Sequence, residues 1–170
     1  KKIETNGLIQ FLQVSNGGNI YLEYLFDAEN YTDFIYRYEV VKQLTNYNSD
    51  LIDELEQKVN AEPDNPELLK ELGNLYFRDG LYEQAIQQYL SALKINPSYY
   101  KALYNLGNTY YRVEEYDKAV EMWKKAIEIK PDFDHAYFNL GYYFFQRNYM
   151  KEAIQTLRMA LKLSPNAPDS

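Results

Sequence analysis

The sequence contains no cysteine and one histidine, His135, among its 170 residues. The lack of cysteine excludes disulfide bonds and thiolate metal sites. A zinc site needs three or four His, Cys or carboxylate ligands in a compact arrangement, and this chain has one His and no Cys to contribute to it. Nucleophilic catalysis by a Cys-His or Ser-His pair lacks its residues for the same reason. No Gly-rich loop is followed by the Lys-Ser/Thr of a phosphate site. We therefore expect no metal, no cofactor and no enzymatic activity.

Positive charge is also scarce, because the chain carries a net charge of −7. Residues 1–65 hold five Lys or Arg and twelve Asp or Glu, whereas residues 66–170 hold thirteen of each. Without a basic stripe to neutralise phosphates, binding to nucleic acid or to an anionic membrane surface is disfavoured. No apolar run approaches the roughly 18 residues of a transmembrane helix. No signal peptide is visible, but the sequence begins at Lys1 without Met, so the compartment stays open.

Aromatic residues, in contrast, are abundant, with nineteen Tyr and eight Phe beside one Trp. Tyr combines an apolar body with a polar tip and suits a half-buried surface. Six Pro and seven Gly are too few for a disordered or collagen-like chain. These proportions predict a chain that buries a core and keeps an aromatic surface.

An internal repeat appears when each position i of the sequence is compared with position i+34. Five positions, a Leu-Gly pair, two Ala and one Pro, recur in three units. They are Leu72-Gly73, Leu106-Gly107 and Leu140-Gly141; Ala85, Ala119 and Ala153; Ala92, Ala126 and Ala160; and Pro97, Pro131 and Pro165. A repeat of this length indicates stacked supersecondary units, each unable to bury its apolar face alone.

The residue chemistry within one unit predicts a pair of helices. In the first unit, apolar residues fall at helical spacing over 69–77 and 82–95, on either side of a turn at 78–80. Gly80 suits the positive φ that follows a helix. Small side chains at Gly73 and Ala85 allow two antiparallel helices to approach closely, and Asn96-Pro97 ends the second helix.

These motifs, L-G-N-x-Y followed by Y-x-x-A-I, Y-x-x-A-L and Pro, resemble the tetratricopeptide repeat. The resemblance covers three units, at 66–99, 100–133 and 134–167. It implies an all-α right-handed superhelix of three helix pairs. The second unit departs from the pattern at Glu114, where the turn Gly is missing. The third has Asn148 at that place, and Met150 and Leu157 where Tyr or Phe is usual.

The resemblance also implies a peptide-binding groove, because the first helix of each tetratricopeptide pair lines the concave surface. An aromatic trough with Arg and Lys in its N-terminal half suits a protein or peptide partner. His135, which follows Asp132 and Asp134 in the sequence, is interpreted as a groove or surface residue. Carried over, the groove positions are Lys70, Asn74, Phe77, Arg78, Lys101, Tyr104, Asn105, Asn108, Tyr111, Arg112, His135, Phe138, Asn139, Tyr142 and Phe145.

Some tetratricopeptide proteins clamp a C-terminal carboxylate with Lys, Asn and Arg at fixed positions. Lys70, Asn74 and Asn105 match those positions, but His135 and Asn139 do not. Asn is common at its two places for structural reasons. A carboxylate clamp and a general peptide groove are therefore both open, and we favour the general groove.

Residues 1–60 stand outside this register. The sequence predicts a helix to about Ser15, a break at 16–18, a short helix at 20–26 and a second break at 27–30. Asn30 is a candidate N-cap for a long helix that runs to about Val59. A linker at 61–65 follows, with Asn65 as the next N-cap and Pro66 at the first helical position.

The long helix carries a heptad seam typical of a coiled coil. Val41, Leu44, Leu51 and Leu55 fall at a/d spacing, with Asn48 as a polar residue that sets the register. This segment, over about 8–56, resembles the coiled-coil tip region of bacterial peptidoglycan hydrolases and their activators. Such coils are regulatory arms that contact membrane partners. The resemblance favours an extracytoplasmic location, and the zinc or cysteine catalytic domains of those proteins are not found here.

Two functional hypotheses follow. We favour a protein-interaction scaffold that uses the repeat groove, and the alternative is a regulatory or structural arm of a bacterial cell-envelope assembly. Self-association is a further expectation, through the coil seam or through the last helix, where Ile154, Leu157 and Leu161 have no following helix to cover them. A fragment of a longer array or a fusion is the other explanation for such an end.

Overall fold

The computed structural model describes residues 24–164, and every regular element in that range is a helix. Residues 24–26 are helical, and the break predicted at 27–30 follows them. The helix predicted to end near residue 15 and the break at 16–18 lie outside the described residues. The helices are α1 (Tyr31–Ala61), α2 (Pro66–Arg78), α3 (Tyr82–Ile95), α4 (Tyr100–Arg112), α5 (Tyr116–Ile129), α6 (Asp134–Gln146) and α7 (Met150–Leu163).

The chain divides into two compact units, with the boundary between Gln88 and Tyr89 inside α3. The predicted helix pairs are present in chain order as α2–α3, α4–α5 and α6–α7. Over residues 24–164, no helix combines the length and the apolar character that crossing a membrane requires.

The start of α1 confirms the predicted cap. The Asn30 side chain accepts a hydrogen bond from the Asp33 backbone N–H at 3.0 Å. Asp33 itself lies in the first turn, where a negative charge interacts favourably with the helix dipole. The helix ends at Ala61, slightly beyond the expected Val59, with a last backbone bond to Lys58.

The N-terminal half of α1 packs on the short helical stretch before it. Leu25 and Val41 are both about 1% exposed, and Phe34 and Tyr38 pack against them. Leu44, the next residue of the predicted seam, is 48% exposed. The seam is therefore only partly covered by the described part of the chain.

The C-terminal half of α1 packs on α2 through polar contacts. The Asn48 amide donates to the Asp79 carboxylate at 2.6 Å, and the Tyr76 hydroxyl donates to Glu56. Burial raises the pKa of Asp79, and burial together with the Glu56 contact raises the pKa of Tyr76. Asn48 thus finds its partner at the end of α2 within the same chain.

Local signals place the start of α2 where the sequence predicts it. Asn65 caps the helix, and its side-chain oxygen accepts from the N–H groups of Glu67 and Leu68 at 3.1 and 3.4 Å. Pro66 occupies the first helical position, where its missing N–H has no intrahelical partner to lose.

The turn inside each helix pair has the same backbone geometry in all three repeats. In the first, the N–H of Leu81 bonds to the carbonyl of Tyr76 and the N–H of Gly80 to that of Phe77, which is a Schellman motif. The residue in the left-handed region is Gly80 with φ 74°, Glu114 with φ 65° and Asn148 with φ 62°. The missing turn Gly of the second repeat therefore leaves the geometry unchanged and adds strain.

The core of the second unit forms around Ala119, Trp123 and Leu140, which are 0, 2 and 6% exposed. The α4–α5 crossing is close because Gly107 faces the Trp123 indole. A Cβ on Gly107 would lie 2.6 Å from two Trp123 ring atoms and 3.2 Å from the Ala119 carbonyl oxygen. At Gly141, the equivalent Cβ would meet Leu157, with the side-chain Cγ and Cδ2 at 2.7 and 2.9 Å and the backbone N at 3.2 Å.

Replacement of Gly107 should therefore destabilise the protein more than the same change at Gly141. We expect Gly107→Ala to lower the free energy of unfolding by about 1–3 kcal/mol, because the rigid indole must move. We expect Gly141→Ala to lower it by less, because the Leu157 side chain can shift more easily than an indole and Ala favours the helix. Urea unfolding followed by circular dichroism measures both. Equal effects of the two changes would contradict this assignment of the tight crossing.

Relief of the strained turn should stabilise the second repeat. Glu114→Gly should raise the free energy of unfolding by about 0.5–1 kcal/mol, because glycine adopts a positive φ without a Cβ clash. Asn148→Gly is the matched control and should give a smaller gain, because Asn tolerates this region better. Thermal unfolding of the two variants gives the order, and a larger gain at Asn148 would disprove it.

Candidate peptide-binding groove

One face of α6 presents three aromatic side chains in a row. Phe138, Tyr142 and Phe145 recur at i, i+4 and i+7, and they are 57, 47 and 54% exposed. The rings of Phe138 and Tyr142 lie nearly parallel, at an interplanar angle of 4°, with centroids 6.5 Å apart. We call these three residues the aromatic row. All three were predicted from the sequence as groove residues.

A cavity of about 470 Å³ lies beside the aromatic row, between α4, α6 and α7. It combines four predicted groove residues with four from the C-terminal half of α7 and its end that were not predicted. The cavity, here named the α6 groove, is lined by Tyr104, Asp134, His135, Phe138, Asn139, Leu157, Ala160, Leu161 and Ser164.

The repeat spacing of the sequence also indicates the α7 residues that line the groove. Leu157, Ala160 and Leu161 lie one repeat length after Trp123, Ala126 and Ile127. Those residues of α5 pack in the second repeat, where Trp123 and Ala126 are 2 and 0% exposed. A position that packs in one repeat is a candidate lining residue in the last one.

Three of the predicted groove residues form a hydrogen-bonded chain. The Asn108 side-chain oxygen accepts from the Trp123 indole N–H at 2.9 Å and from the Asn139 amide at 2.7 Å. The same Asn139 amide donates to the Tyr104 hydroxyl at 3.1 Å. The network links α4, α5 and α6, and it sets the position of the Tyr104 ring at the edge of the α6 groove.

An aromatic stack adjoins the Tyr104 ring at this edge of the groove. The His135 ring stacks on Phe133 with centroids 5.6 Å apart, and Phe133 meets Tyr104 edge-on at 5.0 Å. Asp134 Oδ1 lies 2.6 Å from His135 Nδ1 and orients the ring. The His135 side chain is 66% exposed, so one imidazole nitrogen is available at the rim of the cavity.

Tyr111 contributes its ring to the core more than to an open surface. Its hydroxyl donates to Gln146, and its ring packs against Tyr116 and Trp123 at 5.3 and 5.8 Å. Burial raises the pKa of Tyr111. The sequence placed Tyr111 among the groove anchors, and the structure places it at the half-buried edge of the second-unit core.

The remaining predicted residues of the second unit lie apart from the α6 groove lining. Lys101 and Arg112 are exposed, and the Asn105 carbonyl accepts a bond from the Thr109 hydroxyl at 2.7 Å. The predicted cationic half of the trough is therefore not part of this cavity.

In the first unit, the four predicted residues separate into two groups. Lys70 pairs with Glu67, with its side chain 12% exposed, and the Phe77 ring packs on Tyr82 at 5.6 Å. The other two line a cavity of about 530 Å³ between α1 and α2. Its lining is Leu51, Glu54, Leu55, Lys58, Glu71, Asn74, Leu75 and Arg78, a mixture of both charges with leucines.

Between residues 24 and 164, no three His, Asp or Glu side chains come together in a way that suits a metal ion. The arrangement around α6 offers apolar contact and a few hydrogen-bonding groups, which is the chemistry of a binding surface.

Family models match the second and third repeat units over the residues read from the sequence, and a further match covers parts of the first and second units. The families described as TPR repeat and tetratricopeptide repeat match residues 73–113, 100–133 and 134–167. A fourth family, the coiled-coil domain of the peptidoglycan hydrolase PcsB, matches residues 9–62. None of the curated proteins searched matches the chain.

Solved structures with a similar fold are tetratricopeptide proteins. Two crystal structures of MamA align with TM-scores of 0.65 and 0.63 at 28 and 26% identity. They cover 84 and 87% of this chain, and 84 and 92% of their own. The first TPR of Spaghetti (RPAP3), bound to the HSP90 peptide SRMEEVD, aligns with a TM-score of 0.57 at 28% identity. It covers 59% of this chain and 80% of its own.

The repeat matches together span residues 73–167, and the resemblances stated from the sequence are confirmed for both parts of the chain. Repeats of this kind, with these structural neighbours, form protein-interaction scaffolds. The chain is a tetratricopeptide repeat protein whose N-terminal segment matches the coiled-coil domain of the peptidoglycan hydrolase PcsB.

Proposed function

We propose that this scaffold binds a peptide or helix of a partner protein on the aromatic row and in the α6 groove. The observation that carries the proposal is the exposure of three large rings on one helix face beside a cavity of about 470 Å³. Aromatic side chains that surround a pocket are typical binding hot spots, because they bury a large area with few rotatable bonds.

The lining of the groove favours an apolar anchor in the partner. Its lining combines Leu157 and Ala160 with the Phe138 ring, so a Leu, Met or aromatic side chain would replace water there. Polar groups occur at the rim, where His135 and Tyr104 offer a ring nitrogen and a hydroxyl to a peptide backbone. The expected ligand is therefore an apolar segment with its backbone hydrogen-bonded at the edges.

A carboxylate clamp has less support than an apolar groove. Lys70, one of the three matching residues, pairs with Glu67. Asn139 occupies the place where the clamp needs a cation, and its amide bonds Tyr104 and Asn108. The RPAP3 structure shows a related TPR with the HSP90 peptide SRMEEVD. That likeness supports peptide binding by this chain, while the residues at α6 favour a different anchor.

A second candidate function uses the N-terminal segment. The match to the PcsB coiled-coil domain over residues 9–62 favours a regulatory or structural arm in a bacterial cell-envelope assembly. Phe26 and Tyr31, at 72 and 76% exposure, are the most exposed large apolar side chains of the described range and lie in this segment. In this alternative, the partner contacts these rings and leaves the aromatic row open.

Loss of two rings from the aromatic row should abolish most peptide binding. Peptides selected from a random phage-displayed library provide the probe, and fluorescence anisotropy gives their affinities. We expect Phe138→Ala with Tyr142→Ala to weaken binding about 30-fold, or about 2 kcal/mol, with helicity unchanged. Phe26→Ala with Tyr31→Ala is the matched control and should bind like the wild type. The reverse pattern would transfer the function to the N-terminal segment.

Peptides with and without a free C-terminal carboxylate distinguish a general groove from a carboxylate clamp. Each selected peptide is compared with its C-terminally amidated form, which lacks the terminal carboxylate. We expect the two affinities to agree within about twofold, because apolar contacts dominate at α6. A clamp would be established instead if amidation lowered the affinity more than about tenfold and the Lys70→Ala variant no longer distinguished the two peptide forms.

A further inference from the structure

One face of α7 is exposed, although the equivalent face of α5 is covered in the second repeat. Met150, Ile154, Leu157 and Leu161 form one stripe along α7, which we name the α7 strip. Three of them are exposed, at 45% for Met150, 52% for Ile154 and 64% for Leu161. A stripe at this spacing lies on one side of a helix and suits contact with another helix.

The same stripe in α5 shows what such a face binds. Its equivalents in the second repeat are Tyr116, Val120, Trp123 and Ile127, each buried or half-buried. There α6 covers them, since its Leu140, Tyr143 and Phe144 belong to the same core cluster. By analogy with α5, the α7 strip is therefore suited to packing against a helix.

A helix of matching character exists elsewhere in the chain. Along α1, Tyr36, Val40, Leu44 and Tyr47 share one side, and we name them the α1 strip. Tyr36, Leu44 and Tyr47 are 67, 48 and 62% exposed. From its first residue to its last, each strip covers the same number of helical positions, which corresponds to about 16 Å along the helix. Their lengths therefore match.

The charges beside the two strips are complementary. The exposed residues flanking the α7 strip on one side are Lys151, Arg158 and Lys162, whereas Glu39 and Asp50 flank the α1 strip. Charged flanks of this kind select the partner and the orientation of paired helices. An acidic helix is thus favoured on α7, and a second α7 or a basic helix is disfavoured by repulsion.

The positions of the flanks also fix the direction of pairing. Seen along each helix toward its C-terminus, the acidic residues lie on one side of the α1 strip and the basic residues on the opposite side of the α7 strip. Such flanks meet when the two helices run parallel, as g and e positions do in a parallel coiled coil. In contrast, α6 follows α5 after a short connection and runs antiparallel to it. The arriving helix is therefore not a copy of a next repeat.

We propose that the occupant of the α7 strip is the α1 strip of a second copy of this chain, with the two helices parallel. The contact joins different surfaces of two copies, so each copy keeps one strip free to bind the next. Head-to-tail chains of molecules should then grow with concentration. Leu157 and Leu161 also line the α6 groove, whereas Met150 and Ile154 belong to the α7 strip alone. Substitutions at these last two residues therefore test self-association separately from peptide binding.

A complementation experiment tests this contact with the full chain. One variant, Met150→Glu with Ile154→Glu, blocks the α7 strip. The other, Tyr36→Glu with Tyr47→Glu, blocks the α1 strip. All four side chains are exposed, so both variants should keep the wild-type circular dichroism. Met159→Glu and Ser49→Glu, at exposed positions on the sides of α7 and α1 that face away from the strips and their charged flanks, are the matched controls.

Sedimentation velocity at concentrations up to about 100 μM gives the oligomeric state. We expect the wild type and both controls to form species that grow with concentration, and each blocked variant to stay monomeric. An equimolar mixture of the two variants should form a dimer and stop there, because it contains one intact pair of strips. A monomeric wild type would overturn the proposal, as would a mixture that remains monomeric. Association of either blocked variant alone would show a contact between identical surfaces and would overturn it equally.

Discussion

The side-chain oxygen of Asn108 accepts two hydrogen bonds, from the Trp123 indole and from the Asn139 amide, and the candidate site depends on that pairing. The first bond holds the indole that fills the space left by Gly107. The second joins α4 to α6 and, through the Tyr104 hydroxyl, places the ring that borders the groove. A half-buried amide oxygen with both donors in place is strongly directional, so α4 and α6 have one relative position.

Elements that depend on neighbouring residues were predictable from the sequence. Asn30 and Asn65 cap their helices, and the turn positions at 80, 114 and 148 adopt positive φ as the repeat pattern requires. Capping and turn formation are local, because the groups that bond lie within a few residues of each other. The three helix pairs followed from the same periodicity, which is why their order and type are correct.

The roles of individual polar groove residues were not predictable. Asn108 and Asn139 were assigned to a ligand from their repeat positions, but each bonds a residue of another helix. Asn48 was interpreted as a coiled-coil residue, and it donates to Asp79 at the end of α2. In each case the partner comes from tertiary packing, which repeat position alone does not specify. The aromatic row was predicted as part of the peptide groove; the structure shows its three rings exposed on one helix face, and their role in binding stays a prediction.

The packing of α1 on the first repeat agrees with the spacing of the prolines in the sequence. Pro63 precedes Pro97 by one repeat length, so the repeat spacing of the prolines extends one step toward the N-terminus. The end of α1 packs on α2 through Asn48 and Glu56, as the second helix of an earlier pair would. The segment matched to a coiled-coil family thus also supplies the first repeat with the neighbour that it needs.

The uncovered face of α7 also affects how the molecule opens. In a linear array, each repeat is stabilised mainly by its neighbours, and within residues 24–164 the α6–α7 pair packs against one neighbouring pair. Local unfolding should therefore begin at α6–α7, where amide hydrogens would exchange fastest with solvent. Any ligand on this pair binds the folded form and shifts that local equilibrium. A partner bound to α7 would therefore slow the local unfolding of the α6–α7 pair.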